Sequence, residues 1–109
     1  MDFTGKVALI TGGGGDIGRA SVLGFASRGA KVLVVDIDEA AGRASTELAV
    51  QRGGEARFVR ADVTRAADVR GYVQASLDAY GAIDCFFNNA GIEGTIARRR
   101  TMTRRCSMP

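Results

Sequence analysis

Thr11-Gly12-Gly13-Gly14-Gly15-Asp16-Ile17-Gly18 follows the apolar run Val7-Ala8-Leu9-Ile10 and precedes a helix-like stretch over 19–28. Strand, glycine turn and helix in that order are the setting in which glycines serve a phosphate group. Without side chains the turn tightens, backbone N–H groups approach the anion, and the helix N-terminus adds partial positive charge. Gly13, Gly15 and Gly18 satisfy Gly-x-Gly-x-x-Gly literally, a weak signal alone. The β-then-α flanks strengthen it and separate it from a flexible glycine linker.

Working outward, 6–10 reads as a buried first strand, because it is continuously apolar rather than alternating. In the helix that follows, Ile17, Ala20, Gly24 and Phe25 share one face at i, i+3, i+7 and i+8. Gly24 costs about 1 kcal/mol against alanine in a helix interior, so it points to close packing on a sheet. Gly29 stops this helix, and Lys31-Val32-Leu33-Val34-Val35-Asp36 is a second β-branched run ending in an acid. Asp38 is placed to cap a second helix reaching about Arg52, which Gly53-Gly54 ends. A third strand is expected over 56–61, then Asp62-Val63-Thr64, with Thr64 as N-cap of a third helix to Tyr80. Val69, Tyr72, Val73, Ser76, Leu77 and Tyr80 make a stripe at helical spacing, which reads as a half-buried face. A fourth strand over 83–87 runs into Asn88-Asn89-Ala90-Gly91. The order βαβαβαβ predicts an α/β fold: a Rossmann-like, doubly wound parallel sheet with helical crossovers, ending after about four strands.

The chain has 109 residues, enough for one small domain, and its 46% hydrophobic and 25% charged residues are ordinary for a soluble globular protein. The N-terminus has no basic then apolar leader, and no stretch approaches the roughly 18 apolar residues of a membrane span. Cys85 and Cys106 have neither metal-ligand spacing nor the pattern of a disulfide framework. There is no histidine, which excludes histidine triads and histidine metal sites. No metal site and no membrane partner are expected, and the cytoplasm is the expected location. The net charge of +3 is uneven: residues 98–109 hold five arginines and no acid, so 1–97 carry ten bases against twelve acids.

Asp36 stands eighteen residues after Gly18, at the carboxyl end of the second strand. An acid there is placed to accept hydrogen bonds from the adenosine ribose of NAD and to repel the 2′-phosphate of NADP. The next residue, Ile37, supplies no cation to offset that repulsion. NAD is therefore the expected cofactor, with NADP disfavoured.

Over roughly 3–96 the chain resembles the N-terminal part of a short-chain dehydrogenase/reductase. Four landmarks in order carry the resemblance: the turn at 11–18, Asp36, the Asp62-Val63 pair and the Asn88-Asn89-Ala90-Gly91 loop. It implies an NAD-dependent oxidoreductase moving hydride between nicotinamide and a carbonyl or alcohol carbon, and homo-oligomers among full-length members. It implies that Asp62 and Val63 meet the adenine ring, while Asn89, Ala90 and Gly91 line the cofactor. Read from the residues alone, Asp62 is a helix-capping residue and the Asn-Gly loop a turn. The expected cofactor-binding set is Thr11, Gly12, Gly14, Gly15, Asp16, Ile17, Gly18, Asp36, Ile37, Asp62, Val63, Asn89, Ala90 and Gly91. One departure lies inside the turn. The family pattern Thr-Gly-x-x-x-Gly-x-Gly aligns Thr11, Gly12 and Gly18 but meets Asp16 where its middle glycine belongs. A carboxylate there either repels the pyrophosphate or caps the helix, and capping is the expected role.

The family's general acid/base is a Tyr-x-x-x-Lys pair assisted by a serine. Tyr72 and Tyr80 are followed four residues on by Ser76 and Asp84, and the lysines are Lys6 and Lys31. No catalytic residues are therefore expected in this chain, which would be inactive alone; a non-catalytic dinucleotide-binding module is the alternative. Residues 1–97 read as the NAD-binding half-domain and 98–109 as an irregular arginine-rich tail. A basic arm binding polyanions is the rival reading of that tail, but no aromatic or basic-face pattern accompanies it, so nucleic acid is not an expected partner. The expected origin of the tail is a shifted reading frame near codon 98. Codons compatible with 101–109, read from the third base, allow Tyr-Asp-Glu-Ala-Met-Phe-Asp-Ala, an acidic string resembling family members at this point. Resequencing the coding DNA from codon 90 tests this: another frame is expected to supply the serine and Tyr-x-x-x-Lys, and its absence there would refute the shift.

Overall fold

A computed structural model describes residues 3–88. Four strands and three helices alternate: β1 (Val7–Thr11), α1 (Asp16–Ser27), β2 (Lys31–Asp36), α2 (Glu39–Gln51), β3 (Glu55–Arg60), α3 (Ala66–Tyr80) and β4 (Cys85–Asn88). The strands form one sheet in the order β3-β2-β1-β4, and every pairing is parallel. β1 registers Val7 on Lys31 and Thr11 on Val35; on its other side Thr11 lies opposite Asn88. Both β1 and the centre of β2 are buried along their length, because helices cover the sheet on both faces.

Right-handed crossovers decide which helix covers which face. Stepping from β1 to β2 to β3 in one direction puts α1 and α2 on the same side. There Val22, Phe25 and Ala49 pack on Ala8, Ile10, Val32 and Val34. The chain then returns across the whole sheet to β4, which carries α3 to the opposite side, where Tyr72 packs on Leu9, Leu33 and Val35. The reversal of direction falls between β1 and β4, and a crevice opens at the carboxyl ends of strands at such a point.

Four local expectations need correction, the simplest being Leu77, which falls in the apolar stripe of α3 yet is 41% exposed. The buried face of α1 is Gly18, Ser21, Val22, Phe25 and Ala26, whereas Ile17 is 67% exposed. Gly18 is turned against the glycine loop, and its neighbour, about 100° around the helix, is therefore turned out to solvent. Asp16 does not cap α1: Gly15 holds the N-cap position and Asp16 is the first helical residue, with no side-chain cap bond made. Thr64 does not cap α3 either. Arg65 stands there without a side-chain bond, because the Thr64 hydroxyl and amide both donate to the Asp62 carboxylate. The other boundaries follow the expected chemistry. Asp38 Oδ1 accepts from Ala41 N at 3.1 Å, and Gly81 ends α3 with φ of 79°.

Among the described residues β4 lies at one edge of the sheet and no helix is long and apolar enough to cross a membrane. Leu33, 1% exposed at the centre of the sheet, joins the core beneath α3. Leu33→Ala is expected to lower unfolding free energy by about 3 kcal/mol in urea titration, through lost burial and the cavity left behind.

Candidate functional site

The glycine turn sits at the carboxyl end of β1, where the crevice opens. Gly12 bends the chain with φ of 69°, a conformation that disfavours side chains. A Cβ on Gly18 would fall 1.9 Å from the Gly12 carbonyl oxygen and 2.8 Å from Gly13 Cα, so only glycine lets α1 start this close to the turn. Gly15 is different. A Cβ there would meet only the Gly12 oxygen, at an ordinary 3.8 Å. The literal Gly-x-Gly-x-x-Gly match therefore includes one glycine that space does not require.

The first intrahelical bond of α1 runs from Arg19 N to Gly15 O at 2.7 Å. The amides of Asp16, Ile17 and Gly18 precede it and have no earlier helical carbonyl to bond, and Gly15 has no side chain to cap them. Such a helix start fits an anionic diphosphate. Asp16, exposed in the first turn, favours the helix dipole and also places a negative charge at the same mouth.

Thr11 is fully buried, and its hydroxyl donates to Asn88 Oδ1 at 2.6 Å. That bond ties the ends of β1 and β4 across the crevice. Asp36 ends β2, and its carboxylate is held from two directions: Gly14 N donates to Oδ2 at 2.8 Å and Asp38 N to Oδ1 at 2.9 Å. Each oxygen keeps lone-pair capacity for a further donor. A cleft of about 200 Å³ opens beside it, lined by Asp36, Ile37, Ala61, Asp62, Val63 and Thr64. Ile37, 53% exposed, gives one wall an apolar surface. The structure thus brings Asp36, Ile37, Asp62 and Val63 together in one cleft beyond β2 and β3. Asn89, Ala90 and Gly91 lie outside the described residues.

Asp62 is organised by its own turn. The Thr64 hydroxyl donates to Oδ1 at 2.6 Å and the Thr64 amide to the same oxygen at 2.9 Å. These two bonds, the hydroxyl first, hold the Asp62 carboxyl below its ordinary value of 3.8.

Neither tyrosine lines the cleft. Tyr72 is buried edge-on to Phe86, with ring centroids 6.2 Å apart, and burial pushes its phenol up. Tyr80 ends α3 by the amino ends of β2 and β3, its ring flanked by Lys31 Nζ at 5.9 Å and the Arg57 guanidinium at 6.0 Å. Burial is again the main cause of its raised pKa. A proton-transfer tyrosine requires the opposite shift. Among the described residues no group of three His, Cys, Asp or Glu side chains is placed to hold a metal ion.

Two residues outside the expected set take part in the turn. Ser45, wholly buried on α2, donates to Gly13 O at 2.7 Å and accepts from Arg19 Nε at 2.9 Å. Nothing in the sequence distinguishes Ser45 from a solvent-facing helix serine until the packing of α2 is known.

Comparison with known proteins identifies the family and matches the fold. The family model for short chain dehydrogenase matches residues 6–106, running past the composition change near residue 98. An uncharacterized oxidoreductase of Thermotoga maritima is 46% identical over 92 residues, covering 84% of this chain and 36% of the relative. Levodione reductase of Leifsonia aquatica is 44% identical over 94 residues, covering 84% and 35%. Among solved structures, an NAD⁺-bound xylitol dehydrogenase superposes with a TM-score of 0.81 at 38% identity, covering 86% of this chain and 36% of that one. A Burkholderia phymatum short chain dehydrogenase/reductase in complex with NAD gives 0.77 at 38% identity, covering 80% and 31%. The chain spans about a third of the length of the relatives it matches.

The folded Asp62 carboxyl titrates below its unfolded value. Its contribution to stability is therefore complete above about pH 3.8 and is lost as pH falls through the lower folded value. In an NMR titration Asp62 is expected to titrate below 3.8, and Thr64→Val to return its midpoint toward that value.

Proposed function

Because this chain belongs to the short-chain dehydrogenase family, we propose that residues 1–97 form its NAD-binding half, with NAD preferred over NADP. The observation that carries this reading is the Asp36 carboxylate, fixed by Gly14 N and Asp38 N at the rim of the cleft. An anchored carboxylate receives the ribose 2′- and 3′-hydroxyls as donors. A 2′-phosphate there meets like charge, and Ile37 offers no cation in compensation.

The remaining residues take the roles their positions allow. The amides that open α1 hold the pyrophosphate. The adenine lies in the cleft between Ile37 and Val63, with Asp62 at its edge. Asn89, Ala90 and Gly91 line the cofactor farther along, as the family resemblance implies. Bound NAD supplies hydride exchange at its nicotinamide ring. Substrates in complete members of the family are small carbonyl or alcohol compounds, and oligomeric assembly belongs to those members.

Binding without turnover is the role proposed for this chain by itself. The observation favouring it is that Tyr72 is core and Tyr80 lies by the amino ends of β2 and β3, away from the cleft at their carboxyl ends, with the phenol of each pushed up by burial.

Calorimetric titration tests the proposal. NAD is expected to bind about tenfold or more tightly than NADP, and Asp36→Asn to narrow that ratio to about threefold or less. NADP binding at least as tightly as NAD to the unaltered chain would overturn the preference.

A further inference from the structure

The peptide linking Gly13 to Gly14 is held at both ends. Its carbonyl oxygen, on Gly13, accepts from the Ser45 hydroxyl at 2.7 Å; its N–H, on Gly14, donates to Asp36 Oδ2 at 2.8 Å. A peptide unit is planar, so fixing the carbonyl also fixes the direction of the N–H. Ser45 has one proton to give, and what aims it is Arg19. Arg19 Nε donates to Ser45 Oγ at 2.9 Å, occupying the oxygen's acceptor side and leaving the hydroxyl proton for Gly13. The second reach of the guanidinium, NH2 to Ala41 O at 3.4 Å, ties it to the first turn of α2.

The packing leaves this peptide little other freedom. Gly13 N donates back to Val35 O at 3.2 Å, one residue before Asp36. A Cβ on Gly14 would fall 2.6 Å from the Ala41 Cβ, so the turn lies directly on the start of α2. Ser45 is wholly buried, and these two bonds satisfy its hydroxyl as donor and as acceptor.

We infer that Arg19 and Ser45 are specificity-determining positioning residues. Through the Gly13–Gly14 peptide they fix the orientation in which Asp36 presents its carboxylate to the ribose diol. Neither residue touches the cleft that takes the nucleoside. The chain of bonds runs from α1 through α2 and the glycine turn to the end of β2. The inference rests on the proposed ribose role of Asp36, and it adds that the preference for NAD is set outside the cleft.

The test uses the 109-residue chain and its Ser45→Ala and Arg19→Met variants, with NAD and NADP as probes. Arg19→Met keeps the aliphatic stem at a half-exposed position, so it serves if Ser45→Ala does not fold. Loss of the orienting bond is expected to weaken NAD about tenfold while changing NADP about threefold or less, so the ratio of the two dissociation constants narrows. Arg19→Lys, which restores one donor, is expected to recover part of that ratio. A structural role alone would weaken both nucleotides in equal proportion, and that outcome, or an unchanged ratio in both variants, would overturn the inference. The Gly14 amide gives a readout that needs no nucleotide. Its proton is expected to lose exchange protection in the variants, whereas Gly14 protection equal to that of the unaltered chain would refute the brace. If the unaltered chain prefers NAD and the variants keep that preference, the brace fails and the Asp36 reading stands. If the unaltered chain shows no preference for NAD, the Asp36 reading fails, and with it the specificity role.

Discussion

The close approach of Gly18 to the Gly12 carbonyl is the constraint on which the rest of the site depends. It sets where α1 begins, and so where the free amides of its first turn stand relative to β1. It also fixes the rotation of α1: with Gly18 inward, Val22 and Phe25 meet the sheet and Arg19 points toward α2. Packing and binding geometry are thus consequences of one contact between backbone atoms. Inserting a methyl group there would displace both together, since the atoms it meets are backbone and cannot swing aside.

Most of the fold was legible because the signals were local and mutually consistent. Continuous apolar runs marked β1 and β2 as strands buried on both faces, and Asp38 and Gly81 behaved as helix boundaries should. Where sequence and structure differ, the reasons are local. Helical periodicity counts apolar residues and so turns Ile17 inward, but the inward position belongs to Gly18, which has no side chain. Thr64 and Asp16 have capping chemistry, yet each sits one residue from the N-cap of its helix: Thr64 before Arg65, Asp16 after Gly15. A preference for a position does not decide which of two adjacent residues occupies it.

The candidate site divides in the same way. Asp36, with Ile37 beside it, could be named from its spacing after the glycine turn, whereas Asp62 and Val63 follow only from family resemblance; each stands at or just beyond the end of a strand, and parallel strands bring those ends together. Ser45 and Arg19 could be named by neither route. Their importance depends on α2 lying against the glycine turn, a contact between segments 32 residues apart that leaves no periodic trace. Ser45 looks like any polar helix residue until its burial is seen.

The two margins of the sheet differ in kind. Along β3, Glu55, Arg57 and Arg60 face solvent, so a further strand arriving on that side would have to accommodate three charges. Along β4 the residues are Cys85, Phe86, Phe87 and Asn88, and none carries a charge. Growth of the sheet is therefore directional. β3 acts as a terminus guarded by electrostatics, whereas the β4 side is chemically receptive to the next strand, whichever chain provides it.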